Sequence, residues 1–222
     1  MTSVRTNGRT HVKICGVTTP EALVATLSAG ADAVGFNFFP PSPRALSLDA
    51  ARGLGGRAPD LLKVGVFVDA DDGLLDAAVA AAGLGAIQLQ GTEGPERVAA
   101  LKARFGLPVW KAVGVRSALD VAAASRQFRG ADLLLLDAKP PEGVDLPGGN
   151  GLRFDWRILE AGRPGLPWGL AGGLTPETVA EAIQRTRAPL VDVASGVEDA
   201  PGVKSVAKIA AFVKAARACL TN

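Results

Sequence analysis

Two residues of the sequence have the type and the position to move protons. Cys15 ends a short apolar run and is followed by glycine, and Asp137 follows four leucines. An ionised thiol is a base, and apolar surroundings raise the pKa of a carboxyl toward the range of a general acid. Because the chain has a single histidine, His11, we expect acid–base chemistry to come from carboxylates, lysines or a thiol.

Both residues also have structural interpretations. Free cysteine is often a buried packing residue. Alternation along a strand, however, places Cys15 on the same face as Lys13, whose ammonium would lower the thiol pKa. Asp137 could instead be paired structurally, and Asp192 could be a second functional carboxylate or a buried hydrogen-bonding group. Lys111, in the fifth apolar run, could face the same interior.

Two glycine turns and one arginine indicate an anionic ligand. Gly172-Gly173 and Ser195-Gly196 each stand where an apolar run gives way to a helical pattern. Backbone N–H groups can approach phosphate at such turns, and an adjacent helix N-terminus adds a favourable dipole. The alternative is that these glycines only permit tight turns. Arg44, in the proline-fixed segment FPPSPR, could bind a substrate carboxylate with its forked guanidinium or could face solvent.

Eight short apolar runs predict β-strands, each followed by a stretch with helical spacing. The strands are predicted at residues 12–15, 33–38, 62–68, 86–90, 109–115, 133–138, 168–172 and 191–195. Thr19-Pro20 and Thr175-Pro176 are typical helix starts, with threonine as the cap and proline in the first turn. Parallel strands joined by helices are buried on both faces, which agrees with their apolar composition.

Eight strand–helix units in 222 residues predict one (β/α)8 barrel domain over residues 1–222, with its first strand beginning near residue 12. An open doubly wound sheet is the alternative, but no GxGxxG motif follows the first strand. In a barrel, functional residues lie at the carboxyl ends of the strands. The polar segment 139–153, after the sixth strand, is long enough to form a lid.

The composition excludes several classes of protein. With 48% hydrophobic and 21% charged residues the chain is globular, and no apolar run reaches the ~18 residues of a membrane helix. A net charge of +2 without a basic block argues against nucleic acid. The N-terminus lacks an apolar signal core, so we expect a cytoplasmic protein without a disulfide between Cys15 and Cys219. Cys219 is interpreted as structural, and neither cysteine has a CxxC partner for a metal.

Seven segments, running in order from residue 12 to about residue 213, carry a family resemblance. They are VKICGVTTPE, GFNFFPPSPRALS, IQLQG, LLLLDA, GGNGLRFDW, LAGGLTPETV and VDVASGVEDAPGVKS. Together they resemble the phosphoribosylanthranilate isomerases of tryptophan biosynthesis. The resemblance implies a (β/α)8 barrel and an Amadori rearrangement, in which a phosphorylated ribose attached to anthranilate opens to a 1-deoxyribulose 5-phosphate. It implies no metal and no organic cofactor.

The resemblance also implies roles for individual residues. Cys15 would be the general base, Asp137 the general acid, and Arg44 the group that holds the anthranilate carboxylate. The phosphate would be bound by Gly172, Gly173, Ser195 and Gly196. Two positions depart from the family pattern: Gln90 stands where histidine is common, and Asn150 stands in GGNG where GGTG is usual. Neither position is an acid or base in the family, so we expect altered loop hydrogen bonding without loss of activity.

Two other functions fit parts of the pattern. Another phosphosugar barrel, such as an epimerase or the indole-forming synthase of the same pathway, would share the phosphate loops. The epimerase needs metal-binding histidines that His11 alone cannot supply, and the synthase needs a catalytic lysine with paired glutamates. A non-catalytic phosphosugar-binding barrel would have the phosphate loops but no use for an acid and a base.

Overall fold

Eight parallel strands close into a barrel in the computed structural model, which describes residues 9–138 and 155–218. The strands are β1 (His11–Cys15), β2 (Ala33–Asn37), β3 (Leu62–Phe67), β4 (Ala86–Leu89), β5 (Val109–Val115), β6 (Leu133–Ala138), β7 (Trp168–Leu170) and β8 (Leu190–Val193). Each strand pairs with the next along the chain, and β8 pairs with β1. The predicted (β/α)8 barrel is confirmed, and the doubly wound alternative is wrong.

The helices follow the strands as the periodicity predicted. They are α1 (Pro20–Ser28), α2 (Leu48–Gly55), α3 (Asp72–Ala82), α4 (Pro95–Phe105), α5 (Ala118–Gln127), α6 (Arg157–Ala161), α7 (Val179–Thr186) and α8 (Val206–Ala218). Thr19 caps α1, since its side chain accepts a hydrogen bond from the amide of Ala22. The helix start predicted at Thr175 is too early, because Thr175 and Pro176 lie in a turn that leads into α7, and the amide of Val179 donates to the carbonyl of Thr175.

Apolar side chains fill the lower part of the barrel and the space between strands and helices. The inner cluster consists of Ala33, Val64, Ala86, Trp110, Ala112, Leu133, Leu135, Ala171 and Leu190. These residues alternate along their strands with an outer set that packs under the helices, as a barrel requires. Asp192 and Gln88 stand on the same inner face two residues beyond the floor residues Leu190 and Ala86, nearer the carboxyl ends of their strands.

A short hairpin follows β8 and leads into the last helix. A single 3₁₀ turn at Ser195–Val197 precedes strands β9 (Glu198–Ala200) and β10 (Val203–Lys204), which pair in antiparallel fashion. Gly202, at the tip, has a left-handed φ of 82° and packs directly on the carbonyl of Pro43. The hairpin therefore supports the loop that carries Arg44.

Two predictions lie outside the described residues, namely the lid at 139–153, which includes Asn150, and the structural role of Cys219. Within the two described ranges, no helix combines the length and the apolar character needed to cross a bilayer.

Candidate active site

Lys13 and Cys15 share the inner face of β1, as alternation predicted. The side chain of Lys13 is fully buried, and its Nζ donates to Oδ1 of Asp192 on β8 over 2.9 Å. Gly35, on β2, leaves room for both side chains. A Cβ at that position would lie 2.8 Å from Sγ of Cys15 and 3.1 Å from Nζ of Lys13.

The pKa of the Cys15 thiol is raised above its ordinary value. Burial is the main cause, and the charge of Asp192 acts in the same direction. Lys13 lowers the thiol pKa, as the sequence predicted, but its effect is smaller than that of burial. The net shift of the thiol pKa is therefore upward, although Lys13 acts in the predicted direction.

Asp137 lies at the carboxyl end of β6 with both carboxylate oxygens in hydrogen bonds. Oδ1 accepts from the amide of Ala138 over 2.8 Å, and Oδ2 accepts from Nε2 of Gln90 at the longer distance of 3.5 Å. Burial raises the pKa of Asp137 to about 6 despite these donors, and the charge of Asp192 contributes to the rise. The carboxyl is thus partly protonated near neutral pH, as a general acid requires.

The thiol and the carboxyl face one polar cluster. Lys13 and Asp192 each affect the pKa of Cys15 and also that of Asp137, so the four side chains lie within electrostatic reach of one another at the barrel mouth. The barrel closure brings them together from β1, β6 and β8. Asp192 is both a structural partner of Lys13 and a charge felt by the two candidate catalytic groups.

The two glycine loops adjoin this cluster. Gly172 and Gly173 both have left-handed φ angles, of 82° and 65°. A Cβ on Gly172 would lie 2.7 Å from Oδ1 of Asp137, so only glycine brings the backbone this close to the carboxyl. Gly196 packs on the carbonyl of Leu174, which places the two loops in contact.

The helix dipole expected at each glycine loop is not supported. α7 begins at Val179, and α8 begins only at Val206, after the β9–β10 hairpin. Directly after β8 the chain forms only the 3₁₀ turn Ser195–Val197. What these loops offer an anion is therefore chiefly their backbone N–H groups.

Arg44 is buried beside the thiol. Its side-chain stem lies against Gly16, where a Cβ would be 2.5 Å from Cδ of Arg44. This close contact explains why a glycine follows Cys15. Nε and Nη2 of Arg44 donate to the two oxygens of Glu198, each over 2.7 Å. The solvent-facing alternative for Arg44 is wrong, since its side chain is 9% exposed.

Comparison with known proteins is consistent with this arrangement. A family model described as N-(5'phosphoribosyl)anthranilate (PRA) isomerase matches residues 12–215. The chain belongs to this family. An N-(5'-phosphoribosyl)anthranilate isomerase from Paramagnetospirillum magneticum is 53% identical over 208 residues, covering 93% of this chain and 97% of the relative.

Solved structures of family members have the same fold. Phosphoribosyl anthranilate isomerase from Thermotoga maritima superposes with a TM-score of 0.80 at 37% identity, over 94% of this chain and 99% of that one. A second isomerase structure, in complex with reduced 1-(o-carboxyphenylamino)-1-deoxyribulose 5-phosphate, gives a TM-score of 0.78 at 36% identity, over 94% and 99%.

Gln88 and Gln90 of this isomerase-family member form a polar pair that was not predicted from the sequence. Nε2 of Gln88 donates to Oε1 of Gln90 over 2.8 Å, so the amide nitrogen of Gln90 points to Asp137. Gln88 is buried, and its Oε1 has no hydrogen-bond partner in the described part of the chain. The signal in the sequence was two glutamines, two residues apart, in an apolar strand.

Lys111, in contrast, does not face the barrel interior of this isomerase-family chain. Its Nζ donates to Glu93 over 2.9 Å and lies 5.9 Å from the ring centre of Phe128 at the end of α5. It is a structural cation between strands and helices. In the ranges that the structure describes, no group of three His, Cys, Asp or Glu side chains is arranged to hold a metal ion.

Proposed function

We propose that this chain catalyses the Amadori rearrangement of N-(5-phosphoribosyl)anthranilate to 1-(2-carboxyphenylamino)-1-deoxyribulose 5-phosphate, a step of tryptophan biosynthesis. The observation that carries the proposal is the half-buried thiol and the half-buried carboxyl held around one Lys13–Asp192 pair. The reaction is an internal redox exchange between C1′ and C2′ of the sugar, and it needs only an acid and a base.

Asp137 acts as the general acid. Its proton goes to the ring oxygen of the furanose while the C1′–O bond breaks and the anthranilate nitrogen supplies the electron pair, which gives a Schiff base. A pKa of about 6 keeps a fraction of this carboxyl protonated at neutral pH. The hydrogen bond from the amide of Ala138 holds Oδ1, so the longer bond at Oδ2 leaves that oxygen free to carry the proton.

Cys15 acts as the general base. Its thiolate takes the proton from C2′ of the Schiff base, the C2′–H electrons form an enamine, and tautomerisation gives the ketone of the product. Lys13, beside Sγ, favours the thiolate during this step. A properly placed acid or base accounts for about 10²- to 10⁴-fold in rate.

The substrate is held at both ends. The backbone N–H groups around Gly172, Gly173, Ser195 and Gly196 bind the 5′-phosphate, and the guanidinium of Arg44 binds the anthranilate carboxylate. The ligand is a small molecule and not nucleic acid. No cofactor takes part, and the enzyme acts in the cytoplasm.

The test is turnover of phosphoribosylanthranilate, whose fluorescence is lost on reaction, by the purified full-length chain. We expect a fluorescence loss that depends on enzyme concentration and is slowed competitively by inorganic phosphate. A chain that binds reduced 1-(o-carboxyphenylamino)-1-deoxyribulose 5-phosphate without converting the substrate would be a binding protein, and the proposed activity would be wrong.

A further inference from the structure

Glu198 is the shared acceptor of a buried ion cluster next to the proposed site. Its Oε1 accepts from Nε of Arg44 and from Nζ of Lys204, over 2.7 Å and 2.6 Å, while its Oε2 accepts from Nη2 of Arg44. The three side chains are between 1% and 9% exposed. This pattern of one carboxylate between two cations was not predicted from the sequence.

The hairpin holds Glu198 rigidly on the side away from Arg44. Nζ of Lys204 also donates to the carbonyl of Ala194 over 2.8 Å, and Lys208 donates to the backbone carbonyl of Glu198 over 2.7 Å. With Gly202 packed on Pro43, the hairpin and the arginine loop form one unit. Glu198 therefore has little freedom to follow Arg44, whereas Arg44 must take the orientation that Glu198 sets.

We propose that Glu198, anchored by Lys204, is a positioning residue that orients the guanidinium of Arg44 toward the substrate carboxylate and so determines affinity for the anthranilate end of the substrate. The inference rests on the proposed role of Arg44. Two of the guanidinium nitrogens are fixed by the fork on Glu198, and the group is planar. Its remaining edge therefore has one direction, and the charge of the group lies within electrostatic reach of Cys15.

Simple electrostatics and positioning make opposite predictions for Glu198→Gln. The substitution removes one negative charge next to two cations, so attraction of the anionic substrate alone would lower KM. If Glu198 orients Arg44, the amide loses one half of the fork, since it has only one acceptor oxygen, and KM rises. The sign of the change in KM separates the two effects.

The experiment measures kcat and KM for phosphoribosylanthranilate in wild type, Glu198→Gln, Arg44→Ala and the double variant, with the inhibition constant of inorganic phosphate in each. We expect Glu198→Gln to raise KM about 10-fold, with a smaller change in kcat and a phosphate constant within about twofold of wild type. In the Arg44→Ala background the same substitution should not raise KM further, because nothing is left to orient.

A second variant controls for the net charge of the cluster, and a third controls for the chemistry of the substitution. Glu198→Gln with Lys204→Met removes one anion and one cation, so the cluster keeps its net charge, and KM should stay raised. Glu181→Gln removes a carboxylate that pairs with Arg185 on the surface of α7 and should behave as wild type.

The inference is overturned if KM falls or is unchanged in Glu198→Gln, or if the double Glu198→Gln, Lys204→Met variant recovers the wild-type KM. It is also overturned if the phosphate constant rises as much as KM, since the whole mouth would then have been disturbed. If Arg44→Ala leaves KM unchanged, the role of Arg44 fails instead. If wild type does not turn over, the proposed activity itself fails.

Discussion

Nζ of Lys13 and the carboxylate of Asp192 form a buried ion pair, 2.9 Å long, that joins the first strand of the barrel to the last. The pair closes the barrel at the level of the site. Burial disfavours the ammonium of Lys13, but the charges and hydrogen bonds of Asp192 and Cys15 together outweigh this effect, and the pKa of Lys13 is raised. The pair lies beside Cys15, so it contributes to the stability of the barrel and to the electrostatics of the site.

Lys13→Met is expected to destabilise the fold. The substitution leaves the charge of Asp192 buried without its partner, which costs about 3 kcal/mol or more. The double variant Lys13→Met, Asp192→Asn removes both charges and should be more stable than the single variant. Urea unfolding followed by circular dichroism measures both free energies of unfolding. A single variant as stable as the double would show that the pair does not hold the strands.

Cys15→Ala is expected to lower kcat by at least about 100-fold, because it removes the proposed base. Cys219→Ala is the matched control, since it removes the second cysteine of the chain, and it should retain wild-type turnover. The fluorescence assay for phosphoribosylanthranilate measures both. An unchanged kcat in Cys15→Ala would mean that another group accepts the C2′ proton.

Asp137→Asn is expected to abolish most turnover and yet stabilise the protein at neutral pH. Folding raises the pKa of this carboxyl to about 6, from about 4 in the unfolded chain, so the folded state disfavours the ionised form. The resulting destabilisation is absent below pH ~4, grows between pH ~4 and 6, and is complete above that range.

The amide cannot ionise, so the variant should gain about 1–3 kcal/mol over wild type at pH 7.5 and much less at pH 4. The lower end of this range allows for solvent screening, because the Asp137 side chain is partly exposed. Chemical unfolding at the two pH values tests this, with Asp199→Asn, an exposed carboxylate on the hairpin, as the control. An equal gain at both pH values would contradict the raised pKa.

Gln90→His is expected to change the pH dependence of kcat/KM. Below pH ~6 the carboxyl of Asp137, whose pKa is about 6, is already mostly protonated. The thiol pKa is raised, so further acidification removes thiolate without adding protonated acid. The acidic limb of the profile then reports Asp137. A histidine cation would donate a charge-assisted hydrogen bond to Oδ2 and move this limb to lower pH.

Gln90→Leu supplies the opposite change. It removes the amide donor that lowers the pKa of Asp137, so the acidic limb should move to higher pH. Both variants should stay active, because neither removes the acid or the base. If the acidic limb stays at its wild-type position in both variants, Gln90 does not act on Asp137.

Much of the architecture could be predicted because it depends on local patterns. The apolar runs gave β5 and β6 at their observed bounds, since buried parallel strands are nearly continuous in apolar residues. Alternation placed Cys15 and Lys13 on one face, because the side-chain period of a strand is two. The boundaries failed where turns decide them, as at Thr175, where a turn precedes α7 and the helix begins at Val179.

The amino-acid sequence by itself determined the barrel, the strand ends that carry Cys15 and Asp137, and the family. Only the tertiary structure decided the balance of charges at the mouth. Burial outweighs the effect of Lys13 on the thiol pKa, and Glu198 occupies the fork of Arg44. Both results depend on groups that are distant along the chain. A pKa and an ion pair depend on distance and dielectric in space, and sequence separation encodes neither of them.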